Sequence, residues 1–338
     1  MLILLKACYV CRSRREGNSI RVLILNLNPS YDHWILLDEK PELEHVLRGK
    51  TVVHQVDGKG LNIGRIFSLF GLEDYVCVNM LGGPVGHIIA EQCDELNIKT
   101  SNFWIKEESR INTAIVRDYD GRQDVQMVNE AGPTVTPEEV RRFKQFYRET
   151  VQAEDLVVIS GSAADGFTPA DLVEIASITS ERGGKLAVDI SSDWLKEIVD
   201  KRIEILKIND DELRIAFGLE ADRIDVLDEF RRQYNIGLLI ITFGKEGAVS
   251  VSDTASYRVR PPQVEGNLAV GSGDSFFAGF LYQEMHSGSL KEALVCGTAC
   301  GAANASKYGA ALFDMVDYER CLEKVKIEEV QNGLLLRD

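Results

Sequence analysis

The sequence predicts an α/β fold with a mostly parallel central sheet. Three observations carry that prediction. Short β-branched, apolar runs alternate with amphipathic stretches in steps of about 30 residues, the spacing of right-handed βαβ crossovers. Several of the apolar runs end in polar or glycine-bearing loops, as strands of such sheets do where they meet ligands. The alternation breaks once, at Asn112 to Val128, where a period of two around Asp120-Gly121 signals a hairpin and therefore a small separate sheet.

Met1 to Ser19 stands apart. The apolar run Met1-Leu2-Ile3-Leu4-Leu5 is interrupted by Lys6 too early for a secretory core, and Arg12 to Asn18 is polar. The reading is a flexible extension from an upstream start codon, followed by one domain over residues 20–330 and a tail over 331–338. Ile20 to Leu27 is a buried strand. It runs into Asn28-Pro29-Ser30-Tyr31-Asp32, where Asp32 either accepts from two sugar hydroxyls or serves as a turn residue after proline. Trp34 to Leu37 and Thr51 to Val56 are short apolar pieces. In Asp57-Gly58-Lys59-Gly60-Leu61-Asn62-Ile63-Gly64-Arg65, glycines open a helix with Ile63, Ile66, Phe67, Leu69 and Phe70 on its buried side. Lys59, between two glycines, can approach an anion, and Asn62 can bond a hydroxyl. The spacing is not that of a P-loop.

Tyr75 to Val78 reads as strand, Gly82 to Gly86 as loop and Ile88 to Leu96 as helix. Glu108 to Asn112 leads into the hairpin, and Arg110 there is either a phosphate ligand or an ordinary surface charge. Asn129 to Pro133 closes it. Glu138 to Val151 is helix, Leu156 to Ile159 strand, Pro169 to Arg182 helix and Lys185 to Asp189 strand. Ile205 to Ile208 is a strand that ends in Asn209-Asp210-Asp211-Glu212. Leu238 to Thr242, the most apolar strand, ends in Phe243-Gly244-Lys245-Glu246-Gly247, a loop able to cover a nucleotide phosphate. Gly297 to Tyr308 is a helix of small residues, which allows close packing or leaves room for a flat ring.

The segment that organises the rest is Ala269 to Phe280, with Gly271-Ser272-Gly273-Asp274 at its head and no breaker until His286-Ser287-Gly288. Here a glycine turn feeds the first turn of a helix. Backbone N–H groups and the positive end of the helix dipole then converge on one spot and make an anion site. Asp274 at its edge is either a helix cap or a base that takes a proton from an attacking hydroxyl.

Composition narrows the classes. The formal charge of -15 argues against a nucleic-acid scaffold, so an anionic substrate needs a local cluster of Lys, Arg and amides. Seven irregularly spaced cysteines make no disulfide framework. Cys8 and Cys11 form one C-x-x-C without a second pair, so the thiols read as free, in a reducing, cytoplasmic compartment. No apolar stretch approaches the roughly 20 residues of a membrane span. The first strand runs into Asn28-Pro29 rather than G-x-G-x-x-G, which disfavours a dinucleotide oxidoreductase.

Taken together, these motifs resemble those of the PfkB (ribokinase-like) carbohydrate kinases, from about Ile20 to about Leu312. Gly271-Ser272-Gly273-Asp274 is similar to that family's G-x-G-D signature, and Asn209-Asp210-Asp211-Glu212 to its N-x-x-E. The segments at 26–32, 58–65, 108–112 and 129–133 are similar to the L-N-P-A-x-D, G-K-G-x-N-x-x-R, E-T-R-x-N and N-E-x-G-P of its 1-phosphofructokinase and tagatose-6-phosphate kinase branch. The resemblance implies a ribokinase-like three-layer sandwich with a mostly parallel sheet and a small β lid, built from segments near 34–56 and 108–130. It implies ATP and Mg²⁺, a phosphosugar substrate with fructose 1-phosphate favoured over tagatose 6-phosphate, and pairing of lids into a homodimer. By residue, Asp274 would be the general base and the amides of Gly271, Ser272 and Gly273 the anion hole. Asp32, Gly58 and Asn62 would hold the sugar, and Lys59 and Arg110 the phosphate already on it. Lys207, Asn209, Thr242, Gly244, Gly247 and Asn304 would serve ATP, and Asn209 and Glu212 would hold the metal through waters. A kinase for an unphosphorylated sugar, or a sugar-phosphate-binding regulatory protein on the same fold, are the alternatives. Asp57 departs from the pattern, which has a second glycine there, and 160–166 lacks the usual proline pair.

Overall fold

A computed structural model describes residues 20–37, 46, 48–119, 122–190, 192–264, 270–331 and 333. The extension over 1–19 with Cys8 and Cys11, the Asp120-Gly121 turn, Ala269 and most of the tail lie outside the described residues.

The first strand, β1 (Val22–Asn26), is buried along its whole length, and its side chains split by parity. Val22 and Ile24 enter one core and Leu23 and Leu25 the other. A strand covered on both faces has to be apolar at every position, which is why the run VLILN carries no alternation. β2 (Ser30–Leu37) and β3 (Thr51–Asp57) leave the main sheet, and α1 (Lys59–Leu69) returns to it. Ile63, Ile66 and Phe67 of α1 are fully buried, as expected, but Leu69 at the helix end is 37% exposed.

β4 (Tyr75–Gly82) runs directly into α2 (Gly83–Glu95), so the loop expected over 82–86 does not exist. Pro84 lies in the first turn, where its missing N–H breaks no bond. β5 (Thr100–Ile105), half-polar and on the sheet edge, carries no apolar run that would announce it. The hairpin expected at 112–128 is β6 (Arg110–Tyr119) with β7 (Arg122–Asn129).

From there the predicted alternation holds: α3 (Pro137–Thr150), β8 (Leu156–Ser160), α4 (Pro169–Glu181), β9 (Lys185–Asp189), α5 (Ser192–Ile198), β10 (Ile203–Asn209), α6 (Asp210–Phe217), α7 (Ile224–Gln233) and β11 (Leu238–Thr242). β12 (Ala248–Ser252), β13 (Ser256–Arg260) and β14 (Lys326–Val330) add an antiparallel wing that the sequence did not announce. α8 (Ser272–Ser287), α9 (Leu290–Ala305) and α10 (Met315–Leu322) complete the chain.

The main sheet has ten strands in the order β14-β13-β12-β11-β10-β9-β8-β1-β4-β5, parallel from β11 to β5. One core lies under α1, α2, α8, α9 and α10, the other under α3 to α7, giving three layers. A second sheet, β3-β2-β6-β7, forms the lid. Trp34, Ala114 and Val116 are its buried centre, and Val270 and Tyr308 of the main body pack against them. The lid therefore rests on the loop that enters α8.

Candidate active site

Strand order reverses at β1, which lies between β4 and β8 although β4 follows it in sequence. The carboxyl ends of strands at such a reversal form a crevice. Parallel register sets Ser160 beside Asp189, and Asn209 beside Thr242, along that edge.

The N-terminus of α8 supplies the anion site. Gly271 caps it in the left-handed region (φ 75°), where a Cβ would come within 2.6 Å of the Ala310 Cβ, so only glycine fits. The first i to i−4 bond of the helix runs from the Ser275 N–H to the Gly271 carbonyl at 2.9 Å. The N–H groups of Ser272, Gly273 and Asp274 thus have no partner within the helix. Lys207 brings its Nζ to 3.3 Å from where a Cβ on Gly273 would lie, setting an ammonium against the same turn.

Asp274 is 7% exposed and accepts at Oδ2 from Asn62 Nδ2 at 2.9 Å. Burial pushes its carboxyl pKa up, against the pull of Lys59 and Lys207, so it is a stronger base than a surface aspartate. The plain cap role for Asp274 is not what the structure shows, since α8 has no side-chain cap bond.

Lys59 and Lys207 both meet Asp189, at 3.2 Å and 3.0 Å. Burial works against the charge on Lys59, but Asp189, Asp274 and Glu212 outweigh it and raise its pKa. Lys59 therefore belongs to the group around Asp274. Arg110 faces Asp32, Asp57 and Glu130. Arg110 donates to the carbonyls of Asn28 (2.9 Å) and Glu130 (3.3 Å) and keeps a buried, unpartnered Nε.

At the lid side, β2 and β6 pair Asp32 with Asn112. Asp32 is fully buried and accepts at Oδ1 from Ser30 Oγ (2.7 Å) and Asn112 Nδ2 (2.9 Å), while its Oδ2 has no partner. Gly58 adopts φ 122° with its Cα facing the Asn26 amide, where a Cβ would lie 2.8 Å from Oδ1.

Asn209 and Glu212 form a capping box on α6: the Glu212 N–H donates to Asn209 Oδ1 (2.7 Å) and the Asn209 N–H to Glu212 Oε2 (3.1 Å). Thr242 ends β11, and Gly244 and Gly247 bound the short 3₁₀ turn Gly244–Glu246. Asn304 lies in the last turn of α9. It is fully buried, and its amide donates to the Val270 carbonyl (2.7 Å) and Ser272 Oγ (3.0 Å) and accepts from the Ala311 N–H (2.7 Å). With its amide spent on the protein, Asn304 positions the loop that shapes the anion site.

Sequence reasoning did not single out Asp189, Arg65, Ser30 or Asn112. Asp189 carried a signal, a polar residue closing a buried strand in the same way as Asn209 and Thr242. Arg65 is 7% exposed and ties the Val56 and Ala310 carbonyls together at 2.6 Å each.

A parallel sheet with a β lid over a helix-terminal anion site, a buried carboxylate and two lysines defines an α/β phosphotransferase class. The comparisons carry this further. The description "pfkB family carbohydrate kinase" matches residues 25–315, and the chain belongs to that family. A tagatose-6-phosphate kinase of Staphylococcus epidermidis is 30% identical over 315 residues, covering 91% of this chain and all of that protein. Among solved structures, phosphofructokinase-2 from Escherichia coli in complex with substrates and products superposes with a TM-score of 0.82 at 23% identity, over 90% of this chain and 99% of that one. A possible 1-phosphofructokinase from Thermotoga maritima gives 0.79 at 22%, over 92% and 100%.

Proposed function

We propose that this protein transfers the γ-phosphoryl group of ATP to a primary hydroxyl of a ketohexose phosphate, with fructose 1-phosphate going to fructose 1,6-bisphosphate as the favoured reaction. The observation that carries this reading is Asp274, a buried base beside three N–H groups left free at the start of α8, with Lys59 and Lys207 in reach. Asp274 takes the hydroxyl proton as the oxygen attacks phosphorus. The amides at Gly271, Ser272 and Gly273, with Lys207, stabilise the charge that spreads over the transferred oxygens. Asp32, Gly58 and Asn62 hold the sugar, and Arg110 meets the resident phosphate.

Thr242, Gly244, Gly247 and Asn209 flank the nucleotide phosphates. Mg²⁺ fits this donor set, because Glu212 keeps one carboxylate oxygen outside the capping box and a magnesium ion needs few protein ligands beside phosphates and water. No cluster of three or more His, Cys, Asp or Glu residues occurs among the described residues. When bound, the ion neutralises phosphate charge. The retention of Asp274, Asn209 and Glu212 together speaks against a regulatory protein that has lost catalysis.

Tagatose 6-phosphate is the second reading, favoured by the activity for which the relatives at 30% identity are named. In either case one end of the ketose carries the phosphate and the other offers the attacking CH₂OH. Two further features belong to the proposal. The lid face opposite Trp34 carries Ile35, Ile115, Val52 (46% exposed) and Val128 (54% exposed) beside His33, His54 and Thr113, a mixed surface suited to a second copy of the lid, while Tyr31 and Ile111 on that face pack against the main core. Cys77, Cys93, Cys296, Cys300 and Cys321 are buried free thiols, in keeping with a reducing cytoplasm, and no described helix is long and apolar enough to cross a membrane.

The test is ATP consumption with magnesium against fructose 1-phosphate, tagatose 6-phosphate, fructose 6-phosphate, fructose and ribose. Turnover on a phosphosugar alone supports the reading. Turnover only on an uncharged sugar overturns it.

A further inference from the structure

Asp57 is the residue the pattern does not explain, and its surroundings are specific. It closes β3 opposite Ser30 of β2, one pleat from Asp32. Asp57 and Asp32 lie within hydrogen-bonding reach of each other, and each keeps one buried oxygen, Oδ1 and Oδ2 respectively, that no donor among the described residues satisfies. Asn62, 2% exposed and bonded to both Asp57 and Asp274, leaves its Oδ1 unpartnered as well. Asn112 Oδ1 completes a set of four buried acceptors without donors. Buried polar atoms are normally paired, so such a set calls for a ligand rich in O–H donors.

Two carboxylates this close cannot both carry a charge out of water, but they can share one proton. The charged groups that face the pair are Arg65 of α1 and Arg110 of β6; Gly58 and Asn62 contribute neutral hydrogen bonds. Burial and the neighbouring Asp32 push the Asp57 carboxyl up to about 7.

We propose that Asp57 is a specificity-determining residue: with Asp32 it forms an acid–carboxylate pair that shares one proton and grips adjacent ring hydroxyls of the sugar, and so reads their configuration. This rests on the sugar-phosphate kinase reading above. The protonated pair offers one O–H donor and several acceptors, which suits a diol whose hydroxyls each donate and accept. Arg110 faces the same pair, so a phosphate held by Arg110 lies close to it, and the singly protonated pair, not two bare carboxylates, is the form that admits such a substrate. Fructose and tagatose differ in configuration at one ring carbon, C4, which is the kind of difference such a pair distinguishes. When pH rises past the point where the shared proton leaves, two bare carboxylates repel each other and an anionic ligand, and affinity falls.

The experiment is the pH dependence of KM and kcat between pH 6 and 9, on the five-substrate panel, for wild type, Asp57→Asn and Asp57→Gly. The wild-type KM is expected to be level below about pH 7 and then to rise toward tenfold per pH unit. Asp57→Asn keeps a neutral donor and acceptor, so its KM should stay within a few-fold of the low-pH value up to pH 9. Asp57→Gly should also be level, with KM raised about tenfold or more and the preference between the fructose and tagatose phosphates reduced. Titration of the substrate phosphate is common to all three enzymes and cancels.

An Asp57→Asn enzyme that keeps the wild-type rise overturns the proposal, as does an Asp57→Gly enzyme with unchanged KM and selectivity. If neither variant folds, calorimetric titration of wild type at pH 8.5 with the preferred substrate, in two buffers of different ionisation heat, reads the proton directly. Uptake of about one proton supports the shared-proton pair and none overturns it. Should wild type use only an uncharged sugar, the phosphosugar reading fails on its own, and the same pH profiles on that sugar still decide the role of Asp57.

Discussion

Replacing Asp189 by Asn should cost this protein much of its stability, and the structure says how much and under which conditions. Asp189 is 1% exposed and, among the described residues, carries the only carboxylate in ion-pair contact with Lys207, besides holding Lys59. Lys207 has 6% of its side chain exposed, Lys59 34%. Asparagine preserves shape and removes one negative charge, which leaves the Lys207 ammonium buried without its counter-ion. Breaking a buried pair by removing one partner costs about 3–5 kcal/mol. Lys59 can turn to water, so the lower end, about 3 kcal/mol, is expected. In a domain of about 310 residues that lowers Tm by roughly 5 °C.

The sign with pH follows from Asp189 itself. Burial opposes its charge, but Lys207 and Lys59 more than offset this and hold its carboxyl below the ordinary carboxylate value. A depressed carboxylate contributes stability above its unfolded pKa and loses it as pH falls through the folded one. Urea melts of both proteins should therefore differ fully at pH 7.5, and the gap should narrow below about pH 4. Sulfate should restore part of the loss, since an anion can settle between the two ammoniums and binds only the folded state. A gap under about 1 kcal/mol at pH 7.5, or one that does not change on acidification, would refute the reasoning.

Four other changes have definite outcomes. Asp274→Asn should fold with an unchanged melt and lose kcat by about 10²–10⁴-fold, the usual share of a positioned base; near-normal turnover would remove Asp274 from that role. Arg110→Ala should raise KM for the phosphosugar at least tenfold while leaving kcat within a few-fold, and an unchanged KM would argue for an uncharged substrate. Asn304→Ala strands the Ala311 N–H, which sits in a left-handed residue (φ 57°), and frees the Val270 carbonyl, so a loss of about 1–3 kcal/mol in urea melts should accompany lower kcat. Gly271→Ala forces a Cβ to 2.6 Å from Ala310, so it should reduce kcat/KM more than it reduces Tm, and full activity would show that the turn is not needed in its present form.

Most of the parallel strands were legible because burial on both faces makes them apolar runs; β1, β8, β9, β10 and β11 ended within two residues of their expected boundaries, whereas β4 runs four residues past its expected end at Val78. The lid was legible too, through its period of two and Asp120-Gly121. The antiparallel wing β12 and β13 escaped although both are interior strands, and two further strands that escaped lie at the sheet edges. β5 and β14 pair on one side only; Thr100, Ser101 and Asn102 open the first, and Lys326, Glu328 and Glu329 stud the second, as unpaired edges often are. Within the site, the glycine motifs stood out by their spacing and by the family resemblance they carry. Asp189 stood out only as a polar residue closing a buried strand, and the pairing of Asn112 with Asp32 not at all, because nothing in a single strand tells which residue of another strand it will face. Nor could spacing reveal that Lys59 would turn to Asp189 while Arg110 turned to Asp32 and Asp57. That division depends on where two sheets meet.

That meeting point is a single side chain. Asn62 sits in the first turn of α1, between the lid and α8, and its Nδ2 carries two hydrogens. One goes to Asp274 at 2.9 Å and the amide also bonds Asp57, so the group that steadies the base also steadies the carboxylate that faces the sugar. Its Oδ1, buried and unpartnered, is left to accept from the sugar. A hydroxyl bound there lies next to the base by covalent necessity, because both contacts belong to one planar amide. The helix that the glycines of 58–60 allow to start close under β1 thus fixes the distance between recognition and chemistry. This is a rigid element carrying the constraint, which suits a reaction that depends on positioning more than on covalent participation by the protein.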